Sequence, residues 1–119
     1  MITREQYMMG RDSKYPTTEE LEKNAAVLLF RVNRLLQHLN QTCGVSSGYR
    51  PGHYNQGYAL KSAHLTCEAV DLIDLKGELK ALITPLVLEQ FNLWAEDFGK
   101  TATWLHLQSR PASRRIFLT

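Results

Sequence analysis

The chain has 119 residues, which fits one domain spanning residues 1–119 and is long enough to bury a hydrophobic core without disulfide bonds. Apolar residues make up 44% and charged residues 22%, as in ordinary globular proteins, and a net charge of +2 argues against a nucleic-acid-binding surface. Two cysteines do not form a disulfide framework, and no apolar run reaches the length of a membrane span.

The N-terminal stretch of residues 1–16 is polar, and we expect it to be irregular. It lacks the apolar segment of a secretory signal peptide, which predicts synthesis in the cytoplasm and action elsewhere only after release or delivery. We expect a monomer with neither a nucleic-acid partner nor a membrane partner. The basic cluster Arg110, Arg114 and Arg115 is interpreted first as a solvated end and second as a patch for an anionic ligand.

A long amphipathic helix is predicted from about residue 18 to about residue 40. Thr17 followed by Glu20 has the pattern of a capping box at its start. His38 lies off the apolar stripe and is expected on the surface. Apolar residues recur at steps of four and three, which marks one helix face: Leu21, Ala25, Leu28, Val32, Leu35 and Leu39.

The rest of the chain predicts short strands around one further helical segment. Residues 78–92 have a helical pattern, in which Pro85 marks a kink or a helix start, and a loop follows Pro51-Gly52. This order predicts an α+β fold with a small antiparallel sheet and helices packed on one face. The predicted strands are VSSGYR, CEAVDLID, LWAED and TWLHLQS, and RRIFL is either a last short strand or a tail.

Strand alternation places two chemically active side chains on the same surface of this sheet. Asp71 lies on the face of its strand opposite the aliphatic residues Val70 and Leu72. In the strand TWLHLQS, His106 shares its face with Trp104 and Gln108. Two neighbouring strands therefore each offer one ligand-type side chain to one surface.

His64 lies in the loop just before the Asp71 strand and is able to reach the same surface. Two imidazoles and one carboxylate are a recurrent catalytic zinc set, since three protein ligands leave a fourth position open. Cys67 is a rival ligand, although a thiolate would close the site. The alternative to a metal site is a hydrogen-bonded polar group with two half-buried histidines.

Three segments, in this order, resemble a known family of zinc peptidases. SSGYRP (46–51) resembles its Ser-Gly-Tyr-Arg strand, SAHLTCEAVD (62–71) its zinc-binding segment, and WLHLQ (104–108) the strand that supplies its third ligand. The family comprises zinc D-Ala-D-Ala carboxypeptidases and L-alanyl-D-glutamate endopeptidases that cut peptidoglycan stem peptides, and the hedgehog signalling domain shares its fold. MGRD and SRPASRRIF further resemble compact versions encoded by bacteriophages and prophages.

The resemblance implies a role for individual residues. His64, Asp71 and His106 would bind Zn²⁺. Arg50 would stabilise charge that develops on the substrate, for which a permanently charged, planar guanidinium is suited. The remaining side chains, which would contact substrate or support the site, are Ser62, Trp104 and Gln108.

This sequence departs from the family pattern at two positions. Many members carry an acidic general base three residues before the last histidine, where this chain has Thr103. A hairpin would bring the strand LWAED beside TWLHLQS, so Glu96 is the predicted base and Asp97 the reserve. Cys67 stands where the family commonly has Gly, which adds the possibility of thiol oxidation.

The function that the resemblance implies is zinc-dependent hydrolysis of peptidoglycan stem peptides containing D-amino acids, in phage lysis or cell-wall degradation. The alternative is a catalytically weak or inactive protein of a virion or of the cell wall that keeps the zinc fold, which the missing acid at Thr103 favours. A nucleic-acid module that uses the C-terminal arginines is a third, weaker hypothesis.

Overall fold

Five strands form one sheet in the computed structural model, which describes residues 1–52 and 62–118. The predicted strands are all present, whereas the predicted loop lies mostly outside the described residues. Their order across the sheet is β1-β2-β4-β3-β5. The strands are β1 (Val45–Ser47), β2 (Ala69–Ile73), β3 (Trp94–Glu96), β4 (Trp104–Gln108) and β5 (Ile116–Phe117).

Strands β2 and β4 lie at the centre of the sheet and pair antiparallel, with Asp71 directly opposite His106. The predicted α+β class is confirmed, but the sheet is not wholly antiparallel, because β3 and β5 run parallel. The chain reverses after β4 and lies along the far side of β3. Strand β3 pairs antiparallel with β4 and parallel with β5, so β5 runs in the direction opposite to β4.

The predicted long helix is α2 (Glu19–Leu39). Its N-cap is Thr18, one residue later than predicted, and the hydroxyl of Thr18 accepts a hydrogen bond from the Leu21 amide. His38 is exposed, as predicted. No helix among the described residues is both long enough and apolar enough to cross a membrane. Four residues of the predicted apolar stripe are buried in the core: Ala25, Leu28, Val32 and Leu35.

The core lies between the helices and one face of the sheet. The side chains of Leu28 and Val32 on α2 belong to the same buried cluster as the aliphatic residues of β2 and β4. Those sheet residues are fully buried: Val70, Leu72, Leu105 and Leu107. The opposite face of the same two strands carries the polar residues Asp71, His106 and Gln108.

The prediction of an irregular N-terminal segment is wrong. Helix α1 (Arg4–Met8) begins with a capping box, in which Thr3 accepts from the Gln6 amide and the Gln6 side chain accepts from the Thr3 amide. A five-residue helix is too short to show a hydrophobic period or to be stable alone. Burial of Ile2, Tyr7 and Met8 in the core stabilises it.

The region after β2 contains a short 3-10 helix and then α3 (Pro85–Gln90). Pro85 is at the first helical position, so it marks a helix start. Asp74 caps the turn after β2, because its carboxylate accepts hydrogen bonds from the Leu79 and Lys80 amides at 2.9 Å each.

Candidate metal centre

Three side chains meet on the polar face of the sheet, one from each of β2, β4 and the turn before β2. Ligand atoms of His64, Asp71 and His106 all lie within 4.8 Å of one another, and all three residues are buried. The register of β2 against β4 sets Asp71 beside His106. The sequence-based prediction that these two side chains share a face is confirmed.

The His64 imidazole is held by a backbone carbonyl of the neighbouring segment. Its Nδ1 lies 2.8 Å from the carbonyl oxygen of Gly48, which only accepts, so Nδ1 carries the proton. In the neutral ring, Nε2 then has a lone pair. Nε2 is buried and has no hydrogen-bond partner among the described residues, although it lies 3.3 Å from Oδ2 of Asp71.

The His106 imidazole contacts acceptors on both sides. Its Nδ1 lies 2.8 Å from Oδ1 of Asp71. Its Nε2 lies 2.8 Å from Oε1 of Gln108. The Asp71 carboxylate therefore has one oxygen toward each imidazole.

Burial and ion pairing compete at this centre. Burial lowers the pKa of His64, and the nearby Asp71 carboxylate opposes this only in part. Burial alone would raise the pKa of the Asp71 carboxyl, but contacts with the two imidazoles outweigh it and hold that pKa well below its usual range. Burial alone would lower the pKa of His106, but the Asp71 contact outweighs it and raises that pKa.

These residues fit a divalent cation. Nε2 of His64 is buried without a hydrogen-bond partner among the described residues, and this electron-rich atom lies 3.3 Å from the likewise electron-rich Oδ2 of Asp71. A cation resolves that repulsion and satisfies the orphaned nitrogen. Two imidazoles and one carboxylate, with a further position open, are the donor set of catalytic zinc sites.

The carbonyl that holds His64 belongs to Gly48, whose backbone lies close to the backbone of Tyr7. A Cβ at Gly48 would lie 2.0 Å from the carbonyl oxygen of Tyr7, so only glycine fits there. Tyr7 also donates its hydroxyl to the Ala69 carbonyl at 2.8 Å, which ties α1 to β2. Sequence reasoning missed the roles of Gly48 and Tyr7, and the available signal was the Gly within SSGYRP.

A comparison with protein-family models matches residues 4–108, nearly the whole chain, to the family described as Peptidase M15. The chain belongs to the peptidase M15 family. Neither a curated protein nor a solved structure matches it. As a member of this family it is a zinc-dependent metallopeptidase whose substrates are of the peptidoglycan type. The His64, Asp71 and His106 group supplies donors suited to that metal.

Two residues with predicted roles lie beside His64 in this M15 peptidase. The Ser62 hydroxyl accepts a hydrogen bond from the His64 amide at 3.2 Å, which supports the turn. The Arg50 amide donates to the His64 carbonyl at 3.2 Å. The positive charge of half-buried Arg50 contributes to the lowered pKa of His64, so this cation lies close to the centre.

Glu96, the predicted base, lies on the strand next to His106. Strand β3 pairs Ala95 with Leu107, and the same register carried one residue further sets Glu96 opposite His106. The Glu96 carboxylate contributes to the raised pKa of His106. Asp97 instead accepts a hydrogen bond from the Gly99 amide, which caps a 3-10 turn.

The two other predicted contact residues flank His106 along β4. Trp104 is half-buried opposite Ile73, at one side of the centre. Gln108 is buried opposite Ala69, at the other side, and its amide contacts His106. The group of His64, Asp71 and His106 thus lies between an indole and an amide on the polar face.

Cys67, the predicted rival ligand, does not belong to the group of described residues that could hold a metal. Its side chain is fully buried, and burial raises the pKa of the thiol to about 12. A buried thiol with such a pKa is a poor nucleophile and a poor target for oxidation. The predicted susceptibility to oxidation therefore has no support in the structure.

Proposed function

We propose that this M15 peptidase hydrolyses a peptide bond in peptidoglycan stem peptides that contain D-amino acids. His64, Asp71 and His106 hold the zinc ion in this proposal. The observation that carries it is the buried group of two imidazoles and a carboxylate, with one imidazole nitrogen left without a hydrogen bond among the described residues. Phage lysis or cell-wall degradation is the setting that we infer.

Zinc bound to such a group supplies Lewis-acid activation of water and of the scissile carbonyl. Glu96 accepts a proton from the attacking water and delivers it to the leaving amine as the C–N bond breaks, so that water is added across the bond. The register of β3 against β4 and the effect of Glu96 on the pKa of His106 support this role. Arg50 stabilises the negative charge on the carbonyl oxygen or binds a substrate carboxylate.

The general base is tested with Glu96→Gln, which keeps the size of the side chain and removes its basicity. We expect the variant to retain zinc and to cleave purified peptidoglycan about 10²–10⁴-fold more slowly than the wild type. Mass analysis of the released peptides identifies the bond that is cut and separates endopeptidase from carboxypeptidase activity.

Asp97→Asn is the matched control, since Asp97 lies beside Glu96 and its carboxylate is engaged at a turn. We expect it to retain most of the wild-type activity. Cleavage by Glu96→Gln at the wild-type rate would rule out Glu96 as the base, and loss of activity in Asp97→Asn alone would transfer the role to Asp97.

A second candidate function is a protein of a virion or cell wall that binds zinc without efficient catalysis. Thr103, at the position where many relatives carry the acidic base, favours it. Elemental analysis of wild type beside Asp71→Ala decides whether the metal site exists. A wild-type protein that holds about one zinc per chain and releases no peptide from peptidoglycan would support this second function.

A further inference from the structure

Gln108 joins one proposed zinc ligand to the backbone of the segment that follows β4. Its Oε1 lies 2.8 Å from Nε2 of His106, and its Nε2 lies 2.8 Å from the carbonyl oxygen of Arg110. The side chain is buried on the polar face of the sheet. Gln108 stands opposite Ala69, whose small side chain leaves room for the amide.

The orientation of this amide is determined by its second partner. A carbonyl oxygen such as that of Arg110 only accepts hydrogen bonds, so the NH₂ group of Gln108 must face it. The amide oxygen is then left for His106. Since that oxygen only accepts, the Nε2 atom of His106 must be the donor.

We propose that Gln108 is a positioning residue that keeps the proton of His106 on Nε2 and thereby makes Nδ1 the atom that binds zinc. The inference rests on the proposed metal centre. It adds which nitrogen of His106 binds zinc and which side chain selects that nitrogen. Nδ1 faces the Asp71 carboxylate at 2.8 Å, where it shares a proton with that acceptor, and zinc would take the place of this proton. A hydrogen bond to the distal nitrogen orients a metal-bound imidazole and raises its basicity.

His64 has the opposite arrangement, which makes the two imidazoles distinguishable. The Gly48 carbonyl holds Nδ1 of His64, so Nε2 faces Asp71. At His106 the Gln108 amide holds Nε2, so Nδ1 faces Asp71. The centre therefore uses Nε2 of one histidine and Nδ1 of the other.

Long-range ¹H–¹⁵N correlation spectra of the zinc-loaded wild type test the assignment directly. We expect the His106 ring to carry its proton on Nε2 and zinc on Nδ1, with the reverse in the His64 ring. Zinc on Nε2 of His106 would overturn the proposal. Packing alone does not move this readout, because it reports which ring nitrogen is protonated.

Two substitutions test whether Gln108 determines that Nδ1 of His106 binds zinc. Gln108→Met keeps the volume and removes the acceptor, so we expect zinc affinity, measured against a chromophoric chelator, to fall about 10–100-fold. Gln108→Glu keeps an acceptor for the Nε2 proton but sets a second oxygen toward the Arg110 carbonyl, so we expect its zinc affinity to lie between those of Gln108→Met and the wild type. Gln37→Met, an exposed position on α2, is the matched control and should bind zinc like the wild type.

Zinc affinity of Gln108→Met within twofold of the wild type would overturn the inference, as would an equal loss in Gln108→Met and Gln108→Glu. If Gln108→Met does not fold, the wild-type spectrum decides. Asp71→Ala distinguishes failure of the proposed metal centre from failure of the proposed role of Gln108. Zinc that binds equally well to Asp71→Ala overturns the metal centre, and the inference with it. Zinc lost in Asp71→Ala but retained in Gln108→Met overturns the inference alone.

Discussion

Cys67 adopts the left-handed backbone conformation, with φ at 58°, although it is not a glycine. It lies in the turn between His64 and β2. An L-residue in this region costs roughly 1 kcal/mol relative to glycine. A glycine at this position would adopt the same conformation without that cost.

Two replacements of Cys67 test this cost, because the smaller side chain is expected to give the more stable protein. We expect Cys67→Gly to be more stable than Cys67→Ala by about 0.5–1 kcal/mol, because glycine relieves the positive φ whereas alanine retains it and still loses the buried sulfur. Urea unfolding of the two variants measures the difference. A more stable Cys67→Ala would show that packing of the Cβ outweighs backbone strain.

At the scale of single residues, the meeting of Asp71 and His106 was predictable, and the contacts that hold the neighbouring imidazoles were not. The two-residue period of a strand predicts that Asp71 and His106 share a face, which their cross-strand pairing confirms. The carbonyl of Gly48 and the amide of Gln108 act through contacts that depend on how neighbouring segments meet. No period or spacing in the sequence encodes those contacts.

At the scale of elements, a charged cluster connects the two N-terminal helices. Arg4 on α1 donates to Glu22 on α2, with Nε at 2.6 Å from Oε1, and to Asp12 at 2.9 Å. The Thr17 hydroxyl also donates to Glu22. The hydrogen bonds from Arg4 and Thr17 lower the pKa of Glu22 from 4.5 to about 2.

This cluster makes stability depend on acidity. Because the pKa of Glu22 is lower in the folded chain, its contribution is complete above pH 4.5 and is lost as the pH falls toward about 2. The pair is partly exposed, so we expect a contribution of roughly 1 kcal/mol or less. Urea unfolding across this range should show a smaller pH dependence in Glu22→Gln than in the wild type.

Glu20→Gln provides the control, because Glu20 is exposed on the same helix. Its unfolding free energy should follow the wild-type pH dependence. An identical acid dependence in Glu22→Gln and the wild type would contradict the assignment of this effect to the Arg4 cluster.

Long elements were predictable and short ones were not. The 21-residue helix α2 repeats its apolar face often enough to be recognised, and its predicted bounds are nearly correct. Helix α1 has only five residues, and its burial depends on contacts with distant parts of the chain. The parallel pairing of β3 with β5 follows from the path of the chain after β4, which strand alternation does not reveal.

At the scale of the whole molecule, metal binding and folding are linked. A ligand that binds only the folded chain stabilises it by about 2.7 kcal/mol at a free concentration 100-fold above its Kd. We therefore expect zinc to raise the melting temperature of the wild type and a chelator to reverse the increase. Differential scanning calorimetry measures both effects.

Asp71→Ala is the matched control for that experiment, because it removes the proposed ligand that contacts both imidazoles. Its melting temperature should not respond to zinc. An equal increase in the variant and the wild type would mean that the stabilising ion binds elsewhere.

The position of β2 and β4 in the middle of the sheet has a consequence for how long a bound ion remains. Asp71 and His106 lie on these two strands, whose amides should exchange with solvent only when the sheet unfolds. His64 lies on a turn, which we expect to open at a lower free energy than the central strands. We expect metal release to begin with departure of His64, so the residence time of the ion follows the opening rate of one turn.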